Sequence, residues 1–557
     1  MTDRPTVDLS RIVTANDVRG VADEELTDDV ARAFGAAFAD FLEAGALIVA
    51  HDMRISSPRL AAAFTEGAVL RGSVVAEAGL ASTDQLYCAS GLHRAAGAMV
   101  TASHNPAPDN GFKLCLAGAS PVSRASGLDQ IRRGAESYLE AGEITAVEGG
   151  RAEGLQTLDD YADTLLSLVR PSSRRPLRVA VDAANAMAGL TAPAVFGRLG
   201  HLELVPLFFE LDGTFPNHPA DPVAHENLAV LRETVIEQGA DLGLAFDGDA
   251  DRCVVLDEAG TPVPPSAITA LIAAREIARA REAGQQRPAV VANLVSSRHV
   301  GETVAAAGGR LVRSPVGHSL IKALMAEEQA VFGGEHSAHY YFRDFFRADS
   351  GMLAALHVLA ALAETDGTAS ELLAGHDPYP SSGEINSEVP DPAAALERVR
   401  EHTEKLPDAV ADELDGLTVV HWDEQMPPED RWWISLRPSN TESLLRLNVE
   451  AAQETTMTRV RDEILALVRD EELVAEGAPP VSEAEPTAAE AEAAGVALPA
   501  GASGADVPSW VRAQLRCPDC GGELRDVEAA LQCEGCARVH PVSGGIPVLI
   551  AGRTAVG

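Results

Sequence analysis

Lysine is almost missing from these 557 residues: only Lys113, Lys322 and Lys405 occur, and arginine carries nearly all the positive charge. Positive charge as a whole is short, with 44 Lys and Arg against 83 Asp and Glu, a formal balance of −39. Nucleic acid and anionic membrane would repel such a chain, so nonspecific binding to either is excluded. An anionic substrate must then be held by local arginines and backbone amides. No stretch supplies the roughly 18 uninterrupted apolar residues of a membrane span; the best candidate, Met352–Leu362, is too short and contains His357. The opening MTDRPTVDLSRIV has no basic segment leading into an apolar one, which predicts a cytoplasmic protein. Cysteine is sparse too, at seven residues. Cys88, Cys115 and Cys253 are scattered, as small buried residues in a reducing compartment would be, whereas Cys517, Cys520, Cys533 and Cys536 cluster.

What is present is a folded chain, 46% hydrophobic and too long for one core, for which the length predicts three to five domains. From about Leu177 short β-branched runs alternate with helical periodicity: LRVAVDAAN, AGLTAPAVFGRLG and LELVPLF, then NLAVLRETVIEQG and ADLGLAFDGD. The pattern recurs in RPAVVANLV, VGETVAAAGG, RLVRSPVG and SLIKALMAEEQAVFGG, and alternation of this kind predicts βαβ units. The first 150 residues, with GALIVAHDMR and AGAMVTASHNP, read as a third α/β domain. Residues 378–470 differ, with LTVVHW, RWWISLRPSN and ESLLRLNVE as strands and ETTMTRVRDEILALVRD as a closing amphipathic helix, a small α+β domain. We divide the chain at 1–155, 156–258, 259–375 and 376–470. Residues 471–509 then form an acidic linker with eight acidic and no basic residues, followed by a small module over 510–553.

Four stretches carry chemistry. MVTASHNPAPDNGFKLCL ends an apolar strand in a loop where Ser103 and His104 stand ahead of a Pro-Asn-Gly turn cluster, with Lys113 beyond. Such a loop suits an exposed nucleophile or a bound phosphate, although its composition is also that of an ordinary turn. LGLAFDGDADRCVVLDEAG places Asp247, Asp249 and Asp251 in alternation after a strand. Three carboxylates about 4 Å apart repel by about 4 kcal/mol per pair at an effective dielectric of about 20, so they need a cation. An EF-hand reading, with Glu258 at the twelfth place, fails because Arg252 stands where glycine is required and the flanks are strands. A site with few all-oxygen protein ligands and room for a phosphate oxygen is typical of Mg²⁺. In GGEHSAHYYF, Glu335, Ser337 and His339 alternate and would share one face of an extended segment, suited to sugar hydroxyls. ISLRPSNTESLLRL ends a strand in Arg437, Ser439, Asn440 and Thr441, a guanidinium fork with hydroxyls and amides for a dianionic phosphate.

Taken in order, TASHNP, DGDADR, GEHSAH and RPSNT resemble the phosphoserine, metal, sugar-binding and phosphate loops of the α-D-phosphohexomutase superfamily, in particular its bacterial phosphomannomutase/phosphoglucomutase group. The resemblance spans roughly residues 10–470. It implies a four-domain architecture of three related α/β domains and a small α+β domain around a cleft. It also implies phosphate carried on Ser103, with Mg²⁺ between Ser103 and Asp247, Asp249 and Asp251. The implied reaction moves phosphate between the 6- and 1-positions of a hexose phosphate through a hexose 1,6-bisphosphate, which also serves as activator. Arg252 would offset negative charge or hold phosphate. His104, Lys113, Arg19 in NDVRG and His318 in VGHSLIK match cleft residues of the family. His336 and SNT are closer to the mannose/glucose enzymes than to phosphoglucosamine mutases, which typically read Gln and Ser-Gly-Thr at these places. Asn16 and Val295 depart from the tyrosine and lysine that relatives often carry there. A phosphoglucosamine mutase, a sugar phosphatase using the same serine and metal, and an interaction protein are the competing readings.

The tail spacing C-x2-C-x12-C-x2-C, with glycine near each pair, predicts a structural zinc site at Cys517, Cys520, Cys533 and Cys536. CPDCGGEL and HPVSGGIPVLI resemble the zinc-ribbon activator subunits of tRNA and release-factor methyltransferases. That resemblance implies a protein partner of methyltransferase type.

Overall fold

The computed structural model describes residues 7–438 and 444–469, together with short segments between 524 and 547. The chain divides into two units, Met1–Leu473 and Val474–Gly557. Expectations that fall on 471–509 and on Cys517 and Cys520, like those on Ser439, Asn440 and Thr441, lie outside the described residues.

The first unit holds four sheets. In the first, strands Leu47–His51, Val74–Leu80, Ala96–Val100 and Arg151–Gly154 run parallel, because the helices Ser57–Leu70 and Thr83–His93 carry the chain back between them. Strand Asp109–Leu116 then turns antiparallel to Ala96–Val100, with Val100 opposite Phe112. The second sheet repeats the arrangement: Leu177–Asp182 pairs in parallel with Leu202–Leu207 and Leu242–Phe246, and Cys253–Leu256 folds back antiparallel on the last. In the third, Ala289–Asn293 lies in parallel between Arg310–Ser314 and Phe332–Gly334, and Tyr340–Phe342 folds back. Each α/β unit thus ends a buried parallel strand in a hairpin loop, and the loops are 101–108, 247–252 and 335–339.

Continuous apolar runs such as LGLAF and AVVAN form these strands because helices cover both faces. Met352–Leu362, too short to span a membrane, lies in the wholly buried helix Gly351–Ala363, capped by Ser350 accepting from the Leu353 N–H. The second and third sheets share one apolar core that includes this helix, and the first sheet has its own. The fourth sheet is antiparallel throughout, in the order Ser381–Glu388, Leu444–Ala451, Trp432–Pro438, Leu417–His421, Val410–Asp412. Ile434, Leu436, Leu447 and Val449 meet Met457, Val460, Ile464 and Val468 of the helix Glu454–Arg469, whose 3–4 spacing makes a single apolar stripe.

In the second unit strands Leu524–Val527, Ala530–Cys533, Val539–Ser543 and Ile546–Pro547 form a small antiparallel sheet. No helix among the described residues is long and apolar enough to cross a membrane.

Candidate active site

The three hairpin loops meet. Ser103, Ala250 and Ala338, one in each loop, adopt positive φ of 52°, 60° and 64°, conformations that L-residues tolerate only where the surroundings impose them. Gly248 shows how close the loops approach: a Cβ there would stand 2.2 Å from the Ser103 carbonyl oxygen. Arg252 and His339 form an isolated antiparallel bridge between the second and third loops. The Asp249 carbonyl accepts from the Thr83 N–H at 3.0 Å, tying the second loop to the first domain.

Ser103 is buried and donates from Oγ to Asp247 Oδ2 at 2.9 Å. Asp247, Asp249 and Asp251 bring carboxylate oxygens within 4.8 Å of one another. Lys113 donates to both Asp249 Oδ2 and Asp251 Oδ2 at 2.6 Å. Burial opposes the lysine's charge, yet the two carboxylates prevail and hold it well above the usual lysine range. Asp247 has the Arg252 guanidinium beside it instead, yet burial together with Asp251 and Asp249 pushes it far above the usual carboxylate range. Asp249 Oδ1 and Asp251 Oδ1 are buried and accept no hydrogen bond from the described residues. A cluster with one carboxyl forced toward its neutral form and two buried oxygens unsatisfied fits a divalent cation with oxygen ligands.

Arg252 lies 3.5 Å from Asp247 Oδ2 and donates from Nη2 to His104 Nδ1 at 2.8 Å. The adjacent guanidinium, followed by burial, drives the imidazole down to about 2. His104 is therefore neutral, with Nδ1 as acceptor, 3.3 Å from Ser103 Oγ. Arg19 is bound to Asp17 at 2.8 Å and lines the same cavity of about 240 Å³ as Ser103, Lys113 and Arg252. Asn16 lines it as well.

Glu335, Ser337 and His339 come together by a different route from the expected one. Residues 335–339 form a turn, with the Ala338 N–H bonded to the Glu335 carbonyl, rather than an extended segment with one face. The turn folds His339 Nδ1 to 3.0 Å from Ser337 Oγ and 3.6 Å from Glu335 Oε2, while Tyr341 donates to Glu335 Oε2 at 2.6 Å. His318 opens the helix His318–Glu327, and its side chain lies outside the described residues. Arg437 closes strand Trp432–Pro438 and pairs with Glu384 at 3.1 Å.

The sequence reading missed Arg54. Its fully buried guanidinium donates to four carbonyls of the serine loop: Ser103 at 2.8 Å, Asn105 at 2.7 Å, Pro106 at 2.7 Å and Asp109 at 3.0 Å. Asp52 at 3.3 Å balances its charge, and the Phe215 ring covers it at 5.1 Å. An arginine four residues beyond the run GALIVA was the only signal. Lys322 and Asp349, 2.6 Å apart, were also missed; Asp349 lines the cavity, and the Lys322 ammonium lies 4.1 Å from the Tyr87 ring centroid.

Four family models, described as phosphoglucomutase/phosphomannomutase alpha/beta/alpha domains I, II and III and C-terminal domain, match residues 10–141, 159–260, 265–379 and 384–467. The chain belongs to the phosphoglucomutase/phosphomannomutase family. Among its relatives is a protein named phosphohexose mutases from Xanthomonas campestris pv. campestris (strain B100), 38% identical over 460 residues, covering 82% of this chain and 98% of the relative. A phosphomannomutase of Escherichia coli (strain K12) is 35% identical over 463 residues, with the same coverages. A solved structure of a phosphoglucomutase/phosphomannomutase family protein from Burkholderia thailandensis superposes with a TM-score of 0.72 at 30% identity, covering 83% of this chain and 97% of that one. The phosphoglucomutase/phosphomannomutase models end at residue 467, so the cysteine-bearing tail lies beyond them.

Proposed function

We propose that the protein is a phosphohexomutase that interconverts the 6- and 1-phosphates of mannose or glucose through phosphate carried on Ser103. The observation that carries this reading is Ser103 Oγ, at a positive-φ turn, 2.9 Å from Asp247 beside two further carboxylates and the Lys113 ammonium. Asp247, Asp249 and Asp251, with the Ser103 oxygen, would hold Mg²⁺, which supplies charge neutralisation for phosphoryl transfer.

Phosphoryl transfer asks the protein mainly for positioning and electrostatic stabilisation. The free sugar hydroxyl attacks phosphorus and loses its proton, the bond to Ser103 Oγ breaks and that oxygen takes up a proton, and the hexose 1,6-bisphosphate remains until its other phosphate returns to the serine by the reverse exchange. Arg252, Arg19 and Lys113 are cations lining the cavity around Ser103, and each can offset charge on the transferring oxygens. His104, kept neutral by Arg252 and accepting at Nδ1 from its Nη2, stands 3.3 Å from Ser103 Oγ and is a poor base. Glu335, Ser337 and His339 present two acceptors and a hydroxyl for sugar hydroxyls, with His318 as a further cleft contact. Arg437 with Ser439, Asn440 and Thr441 takes the phosphate that is not being transferred. We assign the domains to 1–155, 156–258, 259–375 and 376–470.

We further assign a structural zinc to Cys517, Cys520, Cys533 and Cys536. Support comes from the paired C-x2-C spacing and from the Cys536 N–H, which points to Cys533 Sγ at 3.4 Å, as an amide does when it stabilises a metal-bound thiolate. Four thiolates leave no open position, so this module's role is binding, with a methyltransferase-type protein as the partner its sequence suggests.

The deciding assay supplies Mg²⁺ and a trace of hexose 1,6-bisphosphate to the purified protein with mannose 1-phosphate, glucose 1-phosphate or glucosamine 1-phosphate, beside Ser103→Ala. Formation of the mannose and glucose 6-phosphates, lost in the variant, is the expected result. Release of inorganic phosphate as the main product would make the protein a phosphatase, and no conversion of any sugar would overturn the reading.

A further inference from the structure

Arg437 and Arg446 stand directly opposite each other on the paired strands Trp432–Pro438 and Leu444–Ala451. Like charges at opposed positions of a sheet repel, so the pair needs an anion. In this chain the anion is internal. Arg437 Nη2 donates to Glu384 Oε2 at 3.1 Å and Arg446 Nη1 to Glu384 Oε1 at 3.0 Å, one carboxylate oxygen for each guanidinium. His336 Nε2 approaches the same carboxylate to 3.8 Å, and Arg446 with Arg437 helps to drive that imidazole down to about 4, after burial. Gly383, at φ 64° in a register shift between Ser381 and Glu384, brings Glu384 to this place on the neighbouring strand.

Of the Arg437 guanidinium, only Nη2 has a hydrogen bond to a carboxylate, that of Glu384, and its Nε is buried with no hydrogen-bond partner among the described residues. Asp415 Oδ2 lies 3.7 Å from its Nη1. A bidentate grip on phosphate requires two N–H groups on one edge; with Nε buried that edge is Nη1 and Nη2, so a phosphate has to displace Glu384 from Nη2. Asp415 is also held by the Val316 N–H at 3.0 Å. Displacing Glu384, by contrast, frees N–H groups on two arginines at once.

We propose that Glu384 is a built-in competitor for the substrate's phosphate: it bridges Arg437 and Arg446, offsets their repulsion, and weakens hexose-phosphate binding by having to be displaced. The proposal rests on the assignment of Arg437 to the phosphate clamp. The opposing view is that Glu384 orients the two arginines and stays in place, and the two views differ in sign.

The test is steady-state kinetics on glucose 1-phosphate with Glu384→Gln and Glu384→Asp, together with inhibition by inorganic phosphate. Exchange across a partly exposed ion pair is worth about 1 kcal/mol, so KM and the inhibition constant for phosphate should both fall about fivefold in Glu384→Gln. Glu384→Asp, which withdraws the carboxylate by one methylene, should move both the same way by less. Unchanged or raised values in variants with wild-type circular dichroism would overturn the proposal. Arg437→Ala tests the underlying assignment separately. If it raises KM while Glu384→Gln does not lower it, the competitor idea alone fails; if it leaves KM unchanged, the clamp assignment fails as well.

Discussion

Arg54 offers the sharpest test of how the serine loop is held. Its guanidinium satisfies four carbonyls between Ser103 and Asp109, and Ser103 sits at φ 52°, a conformation costing about 1–2 kcal/mol for an L-residue. In Arg54→Lys the charge beside Asp52 survives, but a compact ammonium replaces a planar fork and reaches about half of those acceptors. Bonds to a charged donor are worth about 1.5–3 kcal/mol each, so losing two costs about 3–6 kcal/mol, part of which water recovers. A net loss of about 2–3 kcal/mol in holding the loop corresponds to a fall in kcat of about 30- to 150-fold. The KM for glucose 1-phosphate should change little, because Arg54 is buried behind the loop. A coupled assay for hexose 6-phosphate gives kcat and KM, and intact-mass measurement gives the phosphoserine content. A variant with kcat within twofold of the wild type would refute the idea that this side chain sets the serine's position.

Lys113→Gln removes the cation shared by Asp249 and Asp251 and should destabilise the metal-free protein by about 3–5 kcal/mol. Added Mg²⁺ should then raise the melting temperature more in the variant than in the wild type, and equal shifts would mean that lysine and metal do not share these carboxylates. Chelation with EDTA should abolish turnover and Mg²⁺ restore it. His357, buried and held well below its ordinary value chiefly by burial, stays neutral in the folded state while the unfolded chain takes up a proton below about pH 6.5. Its contribution is therefore intact above that pH, and stability falls by about 1.4 kcal/mol per pH unit as pH drops toward 5. In His357→Gln the chemical-denaturation slope over pH 5–6.5 should flatten by that amount. Cys533→Ser should lower bound zinc, measured by atomic absorption, while leaving mutase turnover within twofold.

Much of the site was legible in linear order because its parts follow a local rule. An apolar run such as AGAMV, LGLAF or WWISL predicts a strand, and the polar residues after it must lie in a loop at the strand's end. That rule located Ser103 and the three aspartates without any knowledge of how the sheets pack, whereas Arg437 lies within its strand, opposite Arg446. It failed at Glu335–His339, where alternation suggested an extended face but the hydrogen bond from Ala338 to Glu335 and the positive φ of Ala338 make a turn. Arg54 escaped because an arginine after a strand is unremarkable until its four acceptors, some fifty residues onward, are in view.

The sequence by itself determined the strands and helices, the position of each chemical loop between two strands, and the cysteine spacing of the tail, since each depends on periodicity or turn chemistry within a few residues. The tertiary structure alone decided which loops meet. Lys113 and its aspartates are separated by 136 and 138 residues, Arg252 and His339 by 87, and Ser103 and Asp247 by 144. Such pairs form because the sheets bury their faces against shared helices and carry their loops to one place. That placement is a property of packing between distant segments, on which no local pattern reports.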